Sequence, residues 1–249
     1  MSRPVFPLAD SRTVADDGDA FRFCSTCAFS EACLSQGMHK ASLADLHMLV
    51  EHVGPLHAGD HVFRRGEPFT AIAAVRAGTV KTYVVDDDGT EHVLGFHLPG
   101  EVIGLNAIND SRFPCSAVAL DTVALCRFSF PRIAALATRV PGLQQQLFRL
   151  LSRDIGAATR LAGDWSADQR MAAFLLGLSQ RLAARGFSPT RFQLTMARTD
   201  IGNHLRLAPE TVSRVLKRFQ DDGLVAVDRR EIDLRDVAAL QALAAPVLR

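Results

Sequence analysis

The sequence predicts an α+β chain built in three consecutive parts: a β-barrel of jelly-roll type, a long helix with two apolar directions, and a winged helix-turn-helix. Three observations predict it. Turn signals punctuate residues 56–130 at intervals of about ten. Apolar residues recur at helical spacing after Pro131. Near the C-terminal end a short helix, a proline turn, a second amphipathic helix and a basic hairpin follow one another. A chain of 249 residues that is 48% hydrophobic can bury two cores, and charged residues summing to +1 exclude a chain held open by its own charge. No stretch approaches the roughly 18 uninterrupted apolar residues of a membrane span, so the chain is expected to stay in the cytoplasm.

The elements follow in order. Residues 1–20, with Asp16, Asp17, Gly18 and Asp19 and no hydrophobic period, read as a flexible tail. Residues 21–139 carry a cysteine-containing segment and then the barrel. Its turn signals are Ala58-Gly59-Asp60, Arg65-Gly66-Glu67, Ala77-Gly78, Asp87-Asp88-Gly89 and Pro99-Gly100. Val80 to Val85 and Val118 to Cys126 read as strands, and Asp88-Gly89 is a hairpin signal. In residues 140–163, Leu143, Leu147, Leu150, Ala157 and Leu161 fall on one helical stripe, with Leu151 and Ile155 to its side. One apolar direction can pack on the barrel and the other on a partner chain, so this is read as a dimerisation helix. Asp154 shares the stripe of Leu143, Leu147, Leu150 and Leu161, so a dimer would bring two carboxylates toward one seam.

Residues 164–249 form the last part and hold 13 basic against 10 acidic residues, whereas the first 163 hold 15 against 17. Thr199 to Leu207 reads as a short helix capped by Thr199, interrupted by Ala208-Pro209 before a second helix starts at Glu210. There Val212, Val215, Leu216 and Phe219 face inward, leaving Glu210, Ser213, Arg214, Lys217 and Arg218 outside. An arginine can bond guanine O6 and N7 together, a carboxylate can accept from cytosine N4, and a serine can bond either edge. Lys217 and Arg218, one turn on, and Arg229 and Arg230 in the basic turn between two short strands are placed to hold phosphates.

Cys24, Cys27 and Cys33 bring three thiols into ten residues, compact enough to wrap one metal centre, with Cys115 and Cys126 as candidates for a fourth ligand. Four thiolates would also suit zinc, and Cys24 with Cys27 could form a redox pair. No glycine-rich phosphate loop, paired-carboxylate motif or nucleophile elbow accompanies them, so no enzyme is expected, although a zinc or iron–sulfur redox protein could own the cysteines.

Pro209-Glu210-Thr211-Val212-Ser213-Arg214-Val215-Leu216 resembles the recognition helix of the CRP/FNR superfamily of bacterial transcription regulators. Ala77 to Lys81, Gly95 to Glu101, Gly186 to Pro189 and Leu194 to Met196 extend the resemblance, which is nearest to the FNR branch. It implies that the barrel is of the cyclic-nucleotide-binding type, and that Glu210, Ser213 and Arg214 read the bases of paired TTGAT half-sites on double-stranded DNA. It also implies a [4Fe–4S] cluster held by Cys24, Cys27, Cys33 and Cys126, oxygen sensing through that cluster, a homodimer, and RNA polymerase as a partner, with the loop Asp86 to Glu91 as a contact. A cyclic nucleotide is the superfamily's other common effector. Pro99-Gly100-Glu101 would suit it, but Phe113-Pro114 stands where its phosphate-pairing Arg-Ser is expected, with Arg112 adjacent.

Overall fold

The computed structural model describes residues 24, 27–161 and 163–248, without the side chains of residues 31, 40, 41, 160 and 161. The tail expected over residues 1–20 lies outside the described residues, as does the side chain of Leu161. The described residues divide into two compact units, one comprising the chain up to Val84 with Gly95–Ser152, the other Val85–Leu94 with the chain from Arg153 onward.

The expected barrel corresponds to antiparallel strands β1 (Val50–Leu56), β2 (His61–Phe63), β3 (Ala71–Ala77), β4 (Val80–Val85), β5 (Glu91–His97), β6 (Val102–Ile103), β7 (Ser116–Ala119) and β8 (Val123–Ser129), all in the first unit except Val85 of β4 and residues 91–94 of β5, which fall in the second. They form two four-stranded sheets, ordered β1-β8-β3-β6 and β2-β7-β4-β5, in agreement with the expected barrel of two layers. Between them Val62, Phe63, Val75, Val80, Phe113 and Leu125 make a core, with the Phe63 and Phe113 rings stacked at 3.9 Å. Asp88-Gly89 turns as expected: Gly89 has φ +85° and its N–H donates to the Asp86 carbonyl at 3.0 Å. Val118 to Cys126 is not one strand. It breaks at Leu120–Thr122 into β7 and β8, because Asp121 accepts the Thr79 N–H at 2.7 Å and turns the chain back.

Helices α1 (Lys40–His47), α2 (Phe130–Ala137) and the long α3 (Pro141–Leu161) accompany the sheets. Pro131 sits in the first turn of α2, where its missing N–H costs nothing. Leu143 and Leu150 of α3 are buried, in a second core shared with Leu34, Leu46, Ile72 and Phe128. The stripe headed by Leu143, Leu147 and Leu150 is therefore the helix's inward direction, which corrects its reading as a dimer face. The apolar residues turned outward are Phe148 and Ile155, 60% and 68% exposed, with Leu151 half-buried beside them.

The second unit contains α4 (Ala167–Ala183), β9 (Arg191–Gln193), α5 (Arg198–Leu205), α6 (Pro209–Asp221), β10 (Val225–Asp228), β11 (Glu231–Leu234) and α7 (Val237–Leu248). Ser166 and Gln169 form a reciprocal capping box that starts α4, and α4 packs on α7. The sheet runs β10-β11-β9, so the expected two-stranded wing has a third strand. None of the described helices is long and apolar enough to cross a membrane.

Candidate cysteine site and nucleic-acid interface

The cysteine-bearing segment is wound into successive tight turns. Ser30 N–H donates to Cys27 O at 3.1 Å, Ala32 N–H to Phe29 O at 3.0 Å, and Gln36 N–H to Cys33 O at 3.2 Å. The hydroxyl of Ser35 donates to Ser30 O across the same coil. Leu34, fully buried in the second core, anchors the coil from below. Gly100 makes room for it from the side: at φ +86° it adopts a conformation that other residues resist, and a Cβ there would come within 3.0 Å of the Cβ atoms of Phe29 and Ala32. The Gly100-Glu101 turn thus serves the cysteine segment, and Glu101 closes it by accepting the Leu98 N–H at 3.0 Å.

Strand alternation turns a further thiol, Cys126, toward the same core. On β8, Leu125 points into the barrel core while Cys126 emerges on the opposite face, against the second core that Cys24 and Cys33 also touch. Cys126 pairs in register with His52 of β1, whose Nδ1 lies 3.9 Å from its Sγ.

Electrostatics link these thiols. Burial pushes the Cys24, Cys33 and Cys126 thiols up to about 12, and charge on neighbouring thiols adds to it. Cys24 is raised by Cys33 and Cys27, Cys33 by Cys126 and Cys27, and Cys126 by Cys24 and Cys27, while Arg76 partly offsets the effect on Cys126. Cys115 stands elsewhere. It is buried in the barrel core, raised by burial alone, and its sulfur accepts from Asn106 Nδ2 at 3.4 Å.

Among the described residues, no three His, Cys, Asp or Glu side chains converge closely enough to hold a metal ion. The donor set is nonetheless of the right chemistry: four free thiols within range of one another's charge, three on one coil and one on a strand. Thiols this reluctant to ionise lose their protons only to a cation that binds them, so metal uptake here would release protons.

The interior is filled where a cyclic phosphate would be expected. Phe113 is 1% exposed, stacked on Phe63 and edge-on to Phe69 at 5.5 Å, and Arg112 donates to the Gly66 carbonyl at 2.7 Å.

In the second unit the helix-turn-helix is α5, a tight turn and α6. Ala197, not Thr199, is the residue before α5, and no side chain caps it; Thr199 lies one position inside the helix, too late for the expected cap. Arg206 ends α5 in the left-handed conformation at φ 55°, and Leu207 N–H returns to Gly202 O at 2.8 Å. Pro209 opens α6 at its first position. Val212, Val215, Leu216 and Phe219 are all buried, as expected, and Glu210, Ser213, Arg214, Lys217 and Arg218 are all exposed.

The exposed side chains are held by bonds that are cheap to exchange. Arg214 donates to Thr211 Oγ1 at 3.0 Å, Ser213 Oγ to Pro209 O at 3.2 Å, and Lys217 meets Asp221 at 2.7 Å. Arg218 is paired with Asp168 of α4. Arg229 and Arg230 form the exposed tip between β10 and β11, Arg229 at φ 52°.

Sequence reasoning missed Gln146. It is 1% exposed on α3 and donates to the Cys33 carbonyl at 3.0 Å. Its spacing was a usable signal, since a residue three after Leu143 and four before Leu150 shares their stripe.

Residues 169–243 match the Crp-like helix-turn-helix domain, and residues 54–139 match the cyclic nucleotide-binding domain. The chain is 41% identical over 224 residues to the transcriptional activator protein anr of Pseudomonas aeruginosa, covering 89% of this chain and 92% of that one. It is 38% identical over 224 residues to the fumarate and nitrate reduction regulatory protein of Escherichia coli, covering 89% and 90%. Among solved structures, FixK2 from Bradyrhizobium japonicum superposes with a TM-score of 0.70 at 26% identity, over 78% of this chain and 96% of that one.

Proposed function

The chain belongs to the CRP/FNR superfamily of transcription regulators, in its FNR branch, and from that membership we propose that it is an oxygen-responsive DNA-binding regulator whose four clustered cysteines control dimerisation. The observation that carries the reading is that Cys126 of β8 packs on the same core as Cys24 and Cys33 of the coil that also bears Cys27, with Cys115 set apart in the barrel core. A [4Fe–4S] cluster bound there would supply an oxygen-labile link between the coil and the strand.

The chain's own residues do the rest. Leu34 and Gly100 seat the coil, Cys126 offers the strand-borne thiol, and α3 turns Phe148, Leu151 and Ile155 outward. Phe148 and Ile155 are seven residues apart, two helical turns, so they share a face suited to a second copy of α3. Asp154 follows the Leu143 stripe but is exposed, with Arg153 Nε at 3.7 Å, and a dimer formed along α3 would bring a second carboxylate toward it. The packing of Phe113 supports the thiol-borne effector over a cyclic nucleotide in the barrel.

On DNA, a dimer would present two copies of α6 to half-sites about one helical turn apart, in inverted repeat. Glu210, Ser213 and Arg214, near the start of α6, would read a TTGAT-type half-site, while Lys217, Arg218, Arg229 and Arg230 hold phosphates. RNA polymerase is the partner to which the activator relatives direct attention, with the turn from Asp86 to Glu91 as the contact, and the cytoplasm is where such a regulator works.

The reading is tested by measuring affinity for a duplex carrying two inverted TTGAT half-sites, first without air and then after exposure. Binding should be tight and sequence-specific only before exposure. Equal binding in both conditions overturns the proposal, as does binding that requires an added cyclic nucleotide.

A further inference from the structure

Gln146 is a neutral polar side chain, 1% exposed, on the helical stripe of α3 that carries the core residues Leu143 and Leu150. Its Nε2 donates both to the Cys33 carbonyl and to Gln36 Oε1, each at 3.0 Å, partners 113 and 110 residues away in sequence. Its Oε1 is buried with no hydrogen-bond partner among the described residues. A leucine at this position would fill the space without leaving a carbonyl oxygen unsatisfied, so packing alone does not account for the amide.

The amide joins the cysteine coil to the helix that carries the outward apolar face. Cys33 N–H is bonded to Ser30 O and Cys33 O receives Gln36 N–H, so a pull on that carbonyl is a pull on the whole coil. The contact is extended one turn earlier, where Gly142 faces the Gly37 carbonyl and Met38: a Cβ on Gly142 would lie 3.7 Å from that oxygen and 4.0 Å from Met38 Cγ. Phe148 stands two residues beyond Gln146 on the other side of α3. A helix moves as one body over so short a distance, so displacing the inward side displaces the outward one.

We propose that Gln146 is the positioning residue that couples the cysteine coil to α3, holding the Cys33 carbonyl so that a change in the coil shifts the exposed Phe148–Ile155 face. The inference rests on the reading that these cysteines bind a cluster that controls dimerisation, and it adds the route by which they do so. It requires two states of one contact, with the coil drawn against α3 in one and released in the other, and the coupling must be reciprocal: dimerisation should retard loss of the cluster as much as the cluster favours dimerisation.

The test uses the full chain loaded with iron and sulfide without air, as wild type, Gln146→Leu and Gln146→Asn. Leucine removes both hydrogen bonds at similar volume; asparagine keeps an amide but is one methylene too short to reach both partners. Bound iron and visible absorption report the site, far-UV circular dichroism reports the fold, and sedimentation gives the monomer–dimer constant before and after air. Both variants should bind iron at the wild-type level, while the ratio of the two constants falls by at least about five-fold from its wild-type value. An unchanged ratio in a folded variant overturns the inference. Loss of bound iron from both variants with the fold intact also overturns it, since Gln146 would then build the site rather than transmit from it. If wild type itself binds no iron, or its dimer constant ignores air, the underlying functional reading fails and the inference with it, and the wild-type control distinguishes that result from a failure of Gln146 alone.

Discussion

Gly202→Ala should weaken the DNA-binding unit even though alanine is the better helix former. A Cβ at Gly202 would lie 2.6 Å from the Leu207 carbonyl oxygen, 3.4 Å from the Pro209 nitrogen and 3.4 Å from Val212 Cγ2. A carbon–oxygen contact is comfortable at about 3.3 Å, so the turn would have to open by roughly 0.7 Å. It cannot do so freely, because Leu207 N–H is bonded to Gly202 O at 2.8 Å and Pro209 begins the recognition helix. Overpacking costs about 1–3 kcal/mol, and a clash with backbone rather than a flexible side-chain end belongs to the upper part of that range, about 2–3 kcal/mol; the helix-propensity gain offsets about 1 kcal/mol, for a net loss of about 1–2 kcal/mol. The single tryptophan, Trp165, lies in this unit, so its fluorescence in urea follows the unfolding of the unit without the barrel's contribution. Duplex affinity should fall with stability, because the displaced residues open the helix that carries Glu210, Ser213 and Arg214. A urea midpoint equal to or above that of wild type would refute the reasoning.

Three further outcomes are expected. Cys126→Ser should lose the visible absorption of the anaerobically loaded protein at nearly unchanged stability, whereas Cys115→Ser should keep the absorption and lose about 1 kcal/mol on thermal unfolding, because it buries a hydroxyl in the barrel core; the reverse pattern would transfer the ligand role to Cys115. Arg214→Ala should lose about 1–3 kcal/mol at a guanine of the half-site and relax specificity there, measured on a panel of single-base variants; an equal loss on every duplex would make Arg214 a phosphate contact. Asp154→Ala should shift the cluster-free protein toward dimer by about 1 kcal/mol in sedimentation, because it removes one of two like charges that a dimer would bring together; an unchanged constant would remove Asp154 from the switch.

What the sequence revealed follows from how local each signal is. Gly89 and Pro209 carry backbone constraints of their own, so the hairpin turn and the start of the recognition helix were legible without tertiary information. The amphipathic pattern of Val212, Val215, Leu216 and Phe219 is equally self-contained. The break between β7 and β8 was not legible, because it depends on Asp121 accepting a hydrogen bond from Thr79, 42 residues away. Nor was the start of α5: Thr199 has capping chemistry, but the helix begins one residue earlier with no side-chain cap at all. The leucine stripe of α3 was read correctly as apolar and assigned to the wrong direction, since periodicity says which residues share a face and not what covers it. The cysteine site was half legible. Three thiols declare themselves by spacing, whereas choosing between Cys126 and Cys115 needs the pleat of β8, which turns Leu125 into the barrel and Cys126 out of it.

Whether Cys24, Cys27, Cys33 and Cys126 together hold an iron–sulfur cluster is decided by elemental analysis with absorption spectroscopy on the full chain purified without air. A brown protein with about four irons and four sulfides per chain is expected, bleached by air, with loss of most of that iron when any one of the four cysteines is replaced by serine while Cys115→Ser retains it. A colourless protein carrying one zinc per chain, unchanged in air, would contradict it.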